Sequence, residues 1–286
     1  MNAVVTTSHL ETCLSQAQPP MTHLLESMRA ELRAGEARNQ LVQKCLQRYF
    51  EHSDSIADGL AVLLADRLAL PPISAENLID RFSQCYDEEP TLIETMAGDL
   101  LSAAQRDPSS NGLYMPFLFH KGFHALQAHR LASCLWHKGQ RDDALLISSL
   151  CATRLSVDIH PGARIGPGVF FDHGDGLVIG ETAVLGAGCT VLHGVTLGGT
   201  GKQRGDRHPK VGMGVLIGAH ACILGNIHIG NYSRIGAGAV VLRSVPERHL
   251  AVGTPAMNRP ISILGDAPAE TLDHSYPGCV ADYDEL

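Results

Sequence analysis

An apolar residue recurs every sixth position through the second half of the chain, and this period constrains the fold more than any other feature. All thirteen positions of the period are apolar: Ile159, Ile165, Phe171, Ile179, Leu185, Val191, Leu197, Val211, Ile217, Ile223, Ile229, Ile235 and Val241. Of the 29 glycines in the chain, 21 lie between Gly162 and Gly253. Such a period is typical of a parallel β-helix built from hexapeptides, in which the repeated residue points to the axis and glycine allows the turns. One unit cannot bury its apolar residue alone, so the units must stack.

The residues before this repeat follow a helical pattern. Apolar side chains in "LLESMRAELRA" and "DGLAVLLADRLAL" recur at spacings of three and four. The segment from Met115 to Trp136 is predicted to be one long apolar helix, and its histidines His120, His124 and His129 are interpreted as packing or partner-facing residues rather than ligands. The predicted class is therefore α+β. It comprises a loose leader (1–20), a helical domain (21–156), a β-helix (157–258) and a mobile tail (259–286).

Composition excludes several classes of protein. The net charge is -8 and no basic stripe is present, which argues against nucleic acid as the main partner. No apolar run is long enough to span a membrane, and the leader does not read as a signal peptide, so a cytoplasmic location is expected. The eight cysteines include no CxxC pair and are expected to be reduced thiols. No resident metal or cofactor is expected.

The repeat is interrupted twice, and both interruptions are rich in charged residues and histidine. Phe171 and Ile179 are eight positions apart, across "FFDHGDG", and Leu197 and Val211 are fourteen apart, across "GGTGKQRGDRHPK". The second interruption is predicted to be a loop excursion over residues 198–210. It is not a phosphate-binding loop, since Thr196 stands where the first glycine should be, and Arg204 breaks the dinucleotide pattern. Loops grafted onto a rigid scaffold are where function concentrates.

The residues at these interruptions carry a family resemblance. The stretches "VDIHPGARIG", "DHGDGLVIGETAVLG", "VTLGGTGKQRGDRHPK" and "VGTPA" resemble serine O-acetyltransferase, as do "RDPSS" and "KGFHALQAHR" in the helical half. The resemblance covers roughly residues 90–258. It implies a helical domain followed by a left-handed β-helix. The expected reaction is transfer of an acetyl group from acetyl-CoA, a co-substrate, to the hydroxyl of L-serine for cysteine biosynthesis.

The resemblance also implies the catalytic residues. An alcohol is a poor nucleophile, so its acetylation needs a general base, and the family's base corresponds to His173. Asp158 would orient that imidazole and stabilise its charged form. The other solenoid histidines, His193, His220 and His228, are predicted to lie on turns and to be non-catalytic.

Substrate contacts follow from the same resemblance. Asp107 and Asp172 suit the ammonium group of serine, whereas Arg207 and His208 suit its carboxylate. The acetyl-CoA contacts are expected at Gly199, Ala219 and Ala237, with Arg234 available for a phosphate.

The resemblance further implies partners. Trimers with shared sites are expected, joined in pairs through the helical domains into a hexamer, and the helix from Met115 to Trp136 is a candidate for that contact. L-Cysteine is expected as a feedback inhibitor. Family members dock a terminal isoleucine into O-acetylserine sulfhydrylase; here the acidic tail "PGCVADYDEL" ends in Leu286 instead, and a solubilising tail is the alternative.

Two other enzymes remain open from the sequence. One is an acetyltransferase of the same solenoid class with a sugar or antibiotic acceptor, which a substrate panel would separate. The other is a γ-class carbonic anhydrase with zinc held by three histidines, an alternative that the fifteen histidines raise and that metal analysis would decide.

Overall fold

The computed structural model describes residues 26–27, 30–31, 40–50, 55–202, 204–260 and 268–271. The predicted leader and most of the predicted tail lie outside these residues. Within them, a helical half is followed by a parallel β-helix, which confirms the fold class. None of the described helices is long and apolar enough to cross a membrane.

Between Gln40 and Leu155, seven helices precede the β-helix. They are α1 (Gln40–Phe50), α2 (Ile56–Leu68), α3 (Ala75–Glu88), α4 (Thr91–Arg106), α5 (Tyr114–Phe119), α6 (Lys121–His137) and α7 (Arg141–Leu155). Polar caps mark two of the starts: the Ser55 hydroxyl accepts from the amide of Ala57, and Ser74 and Asn77 form a capping box on α3.

The predicted single helix from Met115 to Trp136 is wrong. His120 adopts an extended conformation (φ −82°, ψ 105°) and separates α5 from α6. The break seats the first turn of α6 on the β-helix, where Gly122 lies so close that a Cβ would overlap the carbonyl oxygen of Phe171. Twelve of the 17 residues of α6 are buried within their own chain, so this helix does not offer its apolar surface to another subunit.

Fifteen short strands build the β-helix and its end. They are β1 (Val157–Ile159), β2 (Arg164–Ile165), β3 (Phe170–Phe171), β4 (Leu177–Ile179), β5 (Val184–Leu185), β6 (Thr190–Val191), β7 (Thr196–Gly198), β8 (Lys210–Val211), β9 (Leu216–Ile217), β10 (Cys222–Leu224), β11 (His228–Ile229), β12 (Arg234–Ile235), β13 (Val240–Val241), β14 (His249–Gly253) and β15 (Ala256–Pro260). The chain visits three parallel faces in turn, ordered β1-β4-β7-β10-β13, β2-β5-β8-β11 and β3-β6-β9-β12-β14. The antiparallel strand β15 extends the third face, and a short helix α8 (Pro268–Thr271) follows.

The register of the ladders accounts for both interruptions of the sequence repeat. Val178 pairs with Thr196, so a regular coil consists of three hexapeptides. The coil that joins Asp158 to Val178 is longer because it contains the additional residues of "DHGDG", and the coil that joins Leu197 to Ile223 is longer because it contains the excursion. Twelve of the thirteen repeat positions are buried, Ile165 being partly buried. The added residues are therefore extruded from the coil without disturbing its core.

A buried ion pair fixes the helical half to the first coil. Arg130 of α6 donates to Asp99 of α4, with Nη2 at 2.9 Å from Oδ1, and also to the carbonyl oxygens of Ile165 and Gly166. The same Asp99 oxygen accepts from the amide of Gly168 at 2.9 Å. Because the partners satisfy one another, this network can remain buried between the two halves. It holds α4 and α6 against the first coil of the β-helix.

Candidate active site

The loop after β3 carries an exposed histidine in an unusual backbone conformation. His173 has φ +57°, and its side chain is 75% exposed. A left-handed conformation is uncommon for a residue with a Cβ and often marks a functional position. Gly174 (φ +73°) follows and donates its amide to the carbonyl of Asp172. This tight turn projects the imidazole outward from a corner of the β-helix.

Residues from the helical half complete a cleft around this histidine. The cleft has a volume of about 490 Å³ and is lined by Asp107, Ser109, Phe119, His120, Lys121, Gly122, Phe170, Asp172, His173 and Asp175. Asp107 follows the last residue of α4, and His120 lies at the start of α6. An ion pair between Lys121 and Asp175 ties α6 to the loop. The structure thus brings together three predicted residues, Asp107, Asp172 and His173.

The carboxylates in the cleft are held differently. Asp107 Oδ1 accepts from the amide of Ser109 at 2.8 Å and from its hydroxyl at 2.7 Å, while Oδ2 lies 3.4 Å from His120 Nε2. Asp172 Oδ1 lies 3.8 Å from His173 Nε2. The cleft therefore presents two carboxylates beside one exposed imidazole, an arrangement suited to a cationic group next to a nucleophile that must lose a proton.

Asp158 is not paired with His173. Within the described residues, the carboxylate that lies within 4.0 Å of the His173 ring nitrogens belongs to Asp172 and not to Asp158. Asp158 projects outward from the middle of β1, between the buried Val157 and Ile159, whereas His173 lies on the corner loop. Contacts of a catalytic base often tighten only when substrate binds, so the orienting role of Asp158 stays a prediction.

Three histidines form a column along this corner. The rings of His173 and His193 are 5.9 Å apart, and those of His193 and His220 are 4.9 Å apart with perpendicular planes. His228 lies in strand β11 and not on a turn, contrary to the prediction. Within the described residues, no group of three or more His, Cys, Asp or Glu side chains is placed to hold a metal ion.

The second predicted cluster, Arg207 and His208, is anchored by Thr182. The Thr182 hydroxyl accepts from the amides of Arg207 (3.0 Å) and His208 (3.2 Å), and it lies 2.9 Å from His208 Nδ1. The Thr182 amide also donates to Nδ1, which leaves the ring proton on Nε2 as a donor. Burial, helped by the nearby charges of Arg207 and Lys210, lowers the pKa of His208. A neutral imidazole with an N–H to donate suits a carboxylate.

The two clusters lie at opposite ends of β4. The loop with His173 enters this strand at Leu177, and Glu181, which pairs with Arg207 at 2.9 Å, lies just beyond its last residue, Ile179. Three strand residues span about 10 Å, more than a serine can bridge. Neither Arg207 nor His208 lines the cleft that contains His173. One chain therefore does not bring all of the predicted substrate residues onto one ligand.

The predicted acetyl-CoA contacts differ in exposure. Gly199 and Ala219 are half-buried and Ala237 is exposed. Arg234 is 4% exposed, because the outer side of the third face is covered. The neighbouring outward residues Thr190 and Leu216 are also buried, and the Thr190 hydroxyl donates to the carbonyl of Ala269 in α8. The structure therefore does not present Arg234 to a phosphate.

His120 is the site residue that the sequence interpretation misses. The sequence groups it with His124 and His129, which are indeed buried, yet it lines the cleft beside Asp107. The one sequence signal for this position of His120 is that "RDPSS" lies shortly before the apolar stretch in the chain, so that the two segments could form two sides of one cleft.

Comparisons with known proteins find similar sequences and structures for both halves of the chain. A sequence profile described as "Serine acetyltransferase, N-terminal" matches residues 24–128, and one described as "Bacterial transferase hexapeptide (six repeats)" matches residues 208–243. The serine acetyltransferase of Haemophilus influenzae is 45% identical over 202 residues, which cover 71% of this chain and 76% of that protein. The structure of soybean serine acetyltransferase complexed with serine matches with a TM-score of 0.81 at 42% identity, covering 86% of this chain and 100% of that chain.

A plant relative is longer than this chain. Serine acetyltransferase 3, mitochondrial, of Arabidopsis thaliana is 43% identical over 255 residues, which cover 89% of this chain. The match covers 64% of the plant protein, so the chain spans less than two thirds of that relative.

Proposed function

Because this chain belongs to the serine acetyltransferase family, we propose that it transfers the acetyl group of acetyl-CoA to the hydroxyl of L-serine, giving O-acetyl-L-serine and CoA. The observation that carries the proposal is the cleft in which Asp107 and Asp172 flank the exposed imidazole of His173. Two carboxylates match an ammonium group, and an imidazole matches an alcohol that must be deprotonated. O-Acetyl-L-serine would serve cysteine biosynthesis.

In the proposed reaction, His173 carries one proton from the serine hydroxyl to the sulfur of CoA. Its imidazole takes the proton of the serine hydroxyl as the oxygen attacks the thioester carbonyl carbon. The tetrahedral intermediate then collapses, the carbon–sulfur bond breaks, and the CoA sulfur leaves with the proton from the imidazolium. Asp158 orients the ring and stabilises its charged form when the substrates are bound, while Asp172, 3.8 Å from His173 Nε2, binds the ammonium group of serine. Transfer is direct, with both substrates bound together.

The serine carboxylate is bound by a neighbouring subunit. Arg207 and His208 do not line the cleft of their own chain, so we assign them to the cleft of an adjacent copy. Thr182 holds the backbone of both residues and Glu181 holds the guanidinium, which keeps the pair ordered until the carboxylate arrives. Acetyl-CoA lies in the groove between subunits, against Gly199, Ala219 and Ala237.

Sharing of the site requires assembly. We propose a trimer around the β-helices and a hexamer formed through the helical domains. Since α6 is buried in its own chain, the contact between trimers must use other surfaces. Light scattering is expected to give the mass of a hexamer, with the trimer as the smallest active species. A stable monomer with full activity would contradict the shared site.

Regulation and location follow as parts of the same proposal. L-Cysteine shares the ammonium and carboxylate of serine, so it would occupy the same pocket and inhibit. The tail ending in Leu286, which lies outside the described residues, is the segment assigned to O-acetylserine sulfhydrylase. A cytoplasmic location is proposed for the whole assembly.

The acceptor is tested by a comparison of alcohols. Purified protein with acetyl-CoA is expected to release CoA thiol when L-serine is added, and not when a galactoside replaces it. The physical reason is that only serine carries the ammonium that Asp107 and Asp172 neutralise. Release with the galactoside but not with serine would assign the chain to sugar acetylation instead.

A further inference from the structure

His120 has a position that neither packing nor helix capping accounts for. Its Nε2 lies 3.4 Å from Oδ2 of Asp107, and both side chains are largely buried, 16% and 18% exposed. His120 is the residue before α6, yet its side chain makes no capping hydrogen bond. The imidazole instead lines the cleft, where the charges of Asp172 and His173 also influence it.

Asp107 has one oxygen committed and one available. Oδ1 accepts both hydrogen bonds from Ser109, so Oδ2 is the oxygen left for a ligand, and Nε2 of His120 lies 3.4 Å from it. Contacts of this length in catalytic sites tighten when substrate binds. A donor on Oδ2 would fix the plane of the carboxylate while leaving a lone pair for an ammonium group.

The protonation state of His120 decides whether it supports Asp107 in binding a cation or competes with that cation for Asp107. The groups that face it are Asp107 at the end of α4, Asp172 and His173 on the loop after β3, and its own neighbour Lys121, which is paired with Asp175. Burial lowers the pKa of His120 from its usual 6.5, although Asp107 and Asp172 act in the opposite direction. At neutral pH the ring is therefore uncharged. It can donate to Asp107 without cancelling the negative charge that attracts a cation.

We propose that neutral His120 is a positioning residue that holds the Asp107 carboxylate for the ammonium group of serine, and that its protonation weakens serine binding. This rests on the proposed function, in which Asp107 binds that ammonium. Protonated His120 would form an internal ion pair with Asp107 and would repel the substrate cation. Serine affinity is then highest above the pKa of His120 and falls as the pH drops through it.

Two substitutions at His120 separate positioning from packing. His120→Leu removes the donor and should raise the dissociation constant for L-serine about tenfold at pH 8, the scale of one hydrogen bond to a charged group. His120→Gln keeps an N–H donor and cannot titrate, so it should stay within about threefold of wild type at pH 8 on the same scale. The KM for acetyl-CoA should not change in either variant.

The pH dependence of serine binding distinguishes this role from a purely structural one. Between pH 8 and pH 5, the dissociation constant for serine should rise more in wild type than in His120→Gln, because only the imidazole can take up a proton at this position. His137→Gln, at the exposed far end of α6, is the matched control and should follow wild type. Thermal melting checks that each variant folds.

The outcomes distinguish this inference from the function on which it rests. If serine binding is weaker in both Asp107→Asn and His120→Leu, and its pH dependence is smaller in His120→Gln than in wild type, both the role of His120 and the proposed function are supported. Weaker binding in Asp107→Asn alone, or a His120→Gln profile identical to wild type, overturns the role of His120 and leaves the proposed function in place. Unchanged serine binding in Asp107→Asn overturns the ammonium site itself, and the role of His120 with it.

Discussion

Replacement of His173 with alanine is expected to lower kcat by about 10²-fold or more, the usual scale for loss of a general base. The imidazole is the exposed group at the mouth of the cleft, and no other described residue lining it offers a neutral nitrogen base except the largely buried His120. Steady-state assays with both substrates saturating measure the effect. Asp158→Asn should lower kcat less, because it removes orientation and not the proton acceptor.

A matched substitution controls for loss of a surface imidazole. His228 is an exposed histidine on β11, in a different face of the β-helix, and His228→Ala should retain kcat. If the kcat of His173→Ala stayed within a few fold of the wild-type value, His173 would not be the general base. An acetyl-enzyme trapped with acetyl-CoA alone, or ping-pong kinetics, would contradict direct transfer.

Replacement of Arg207 with alanine is expected to weaken the binding of both L-serine and L-cysteine by about 2 to 5 kcal/mol, the range for truncation of one side of a buried charge pair. The two amino acids share the carboxylate that this guanidinium would bind. Thr182 anchors the backbone through the amides of Arg207 and His208, so the loop should survive the truncation. Calorimetric titration of each ligand measures the loss, and inhibition by cysteine should be competitive with serine.

The same loop supplies a control for general loss of charge. Arg204 is exposed on the excursion, outside the pair that Thr182 anchors, so Arg204→Ala should leave both affinities close to wild type. Loss of serine binding in Arg207→Ala with cysteine inhibition intact would show that cysteine binds elsewhere. The shared pocket would then be wrong.

The β-helix was predictable because its sequence signal is local and repeated. Each hexapeptide must place its own apolar residue on the axis, so the period survives in the sequence. Its two slips reappear in the structure as the two longer coils, which join Asp158 to Val178 and Leu197 to Ile223. Charged insertions in an otherwise regular solenoid indicated where the site lies. These features need no knowledge of distant contacts.

The helical side of the site was predicted less completely, because distant contacts override the local pattern there. The apolar stretch around His120 reads as one helix, yet the close packing of Gly122 on Phe171 ends α5 early and turns His120 toward Asp107. Likewise, an arginine outside the repeat position reads as exposed, but Arg234 is buried on the face that α8 contacts. Neither contact leaves a periodic signal in the sequence.

Product identity tests the proposed acetyl transfer most directly. The full chain is incubated with acetyl-CoA and L-serine, and the products are identified and counted by mass spectrometry and NMR. We expect one O-acetyl-L-serine for each CoA released, with the acetyl group on the hydroxyl oxygen, and no CoA release when serine is omitted. CoA release that does not depend on serine, or serine recovered without an acetyl group, would contradict serine acetyl transfer by this protein.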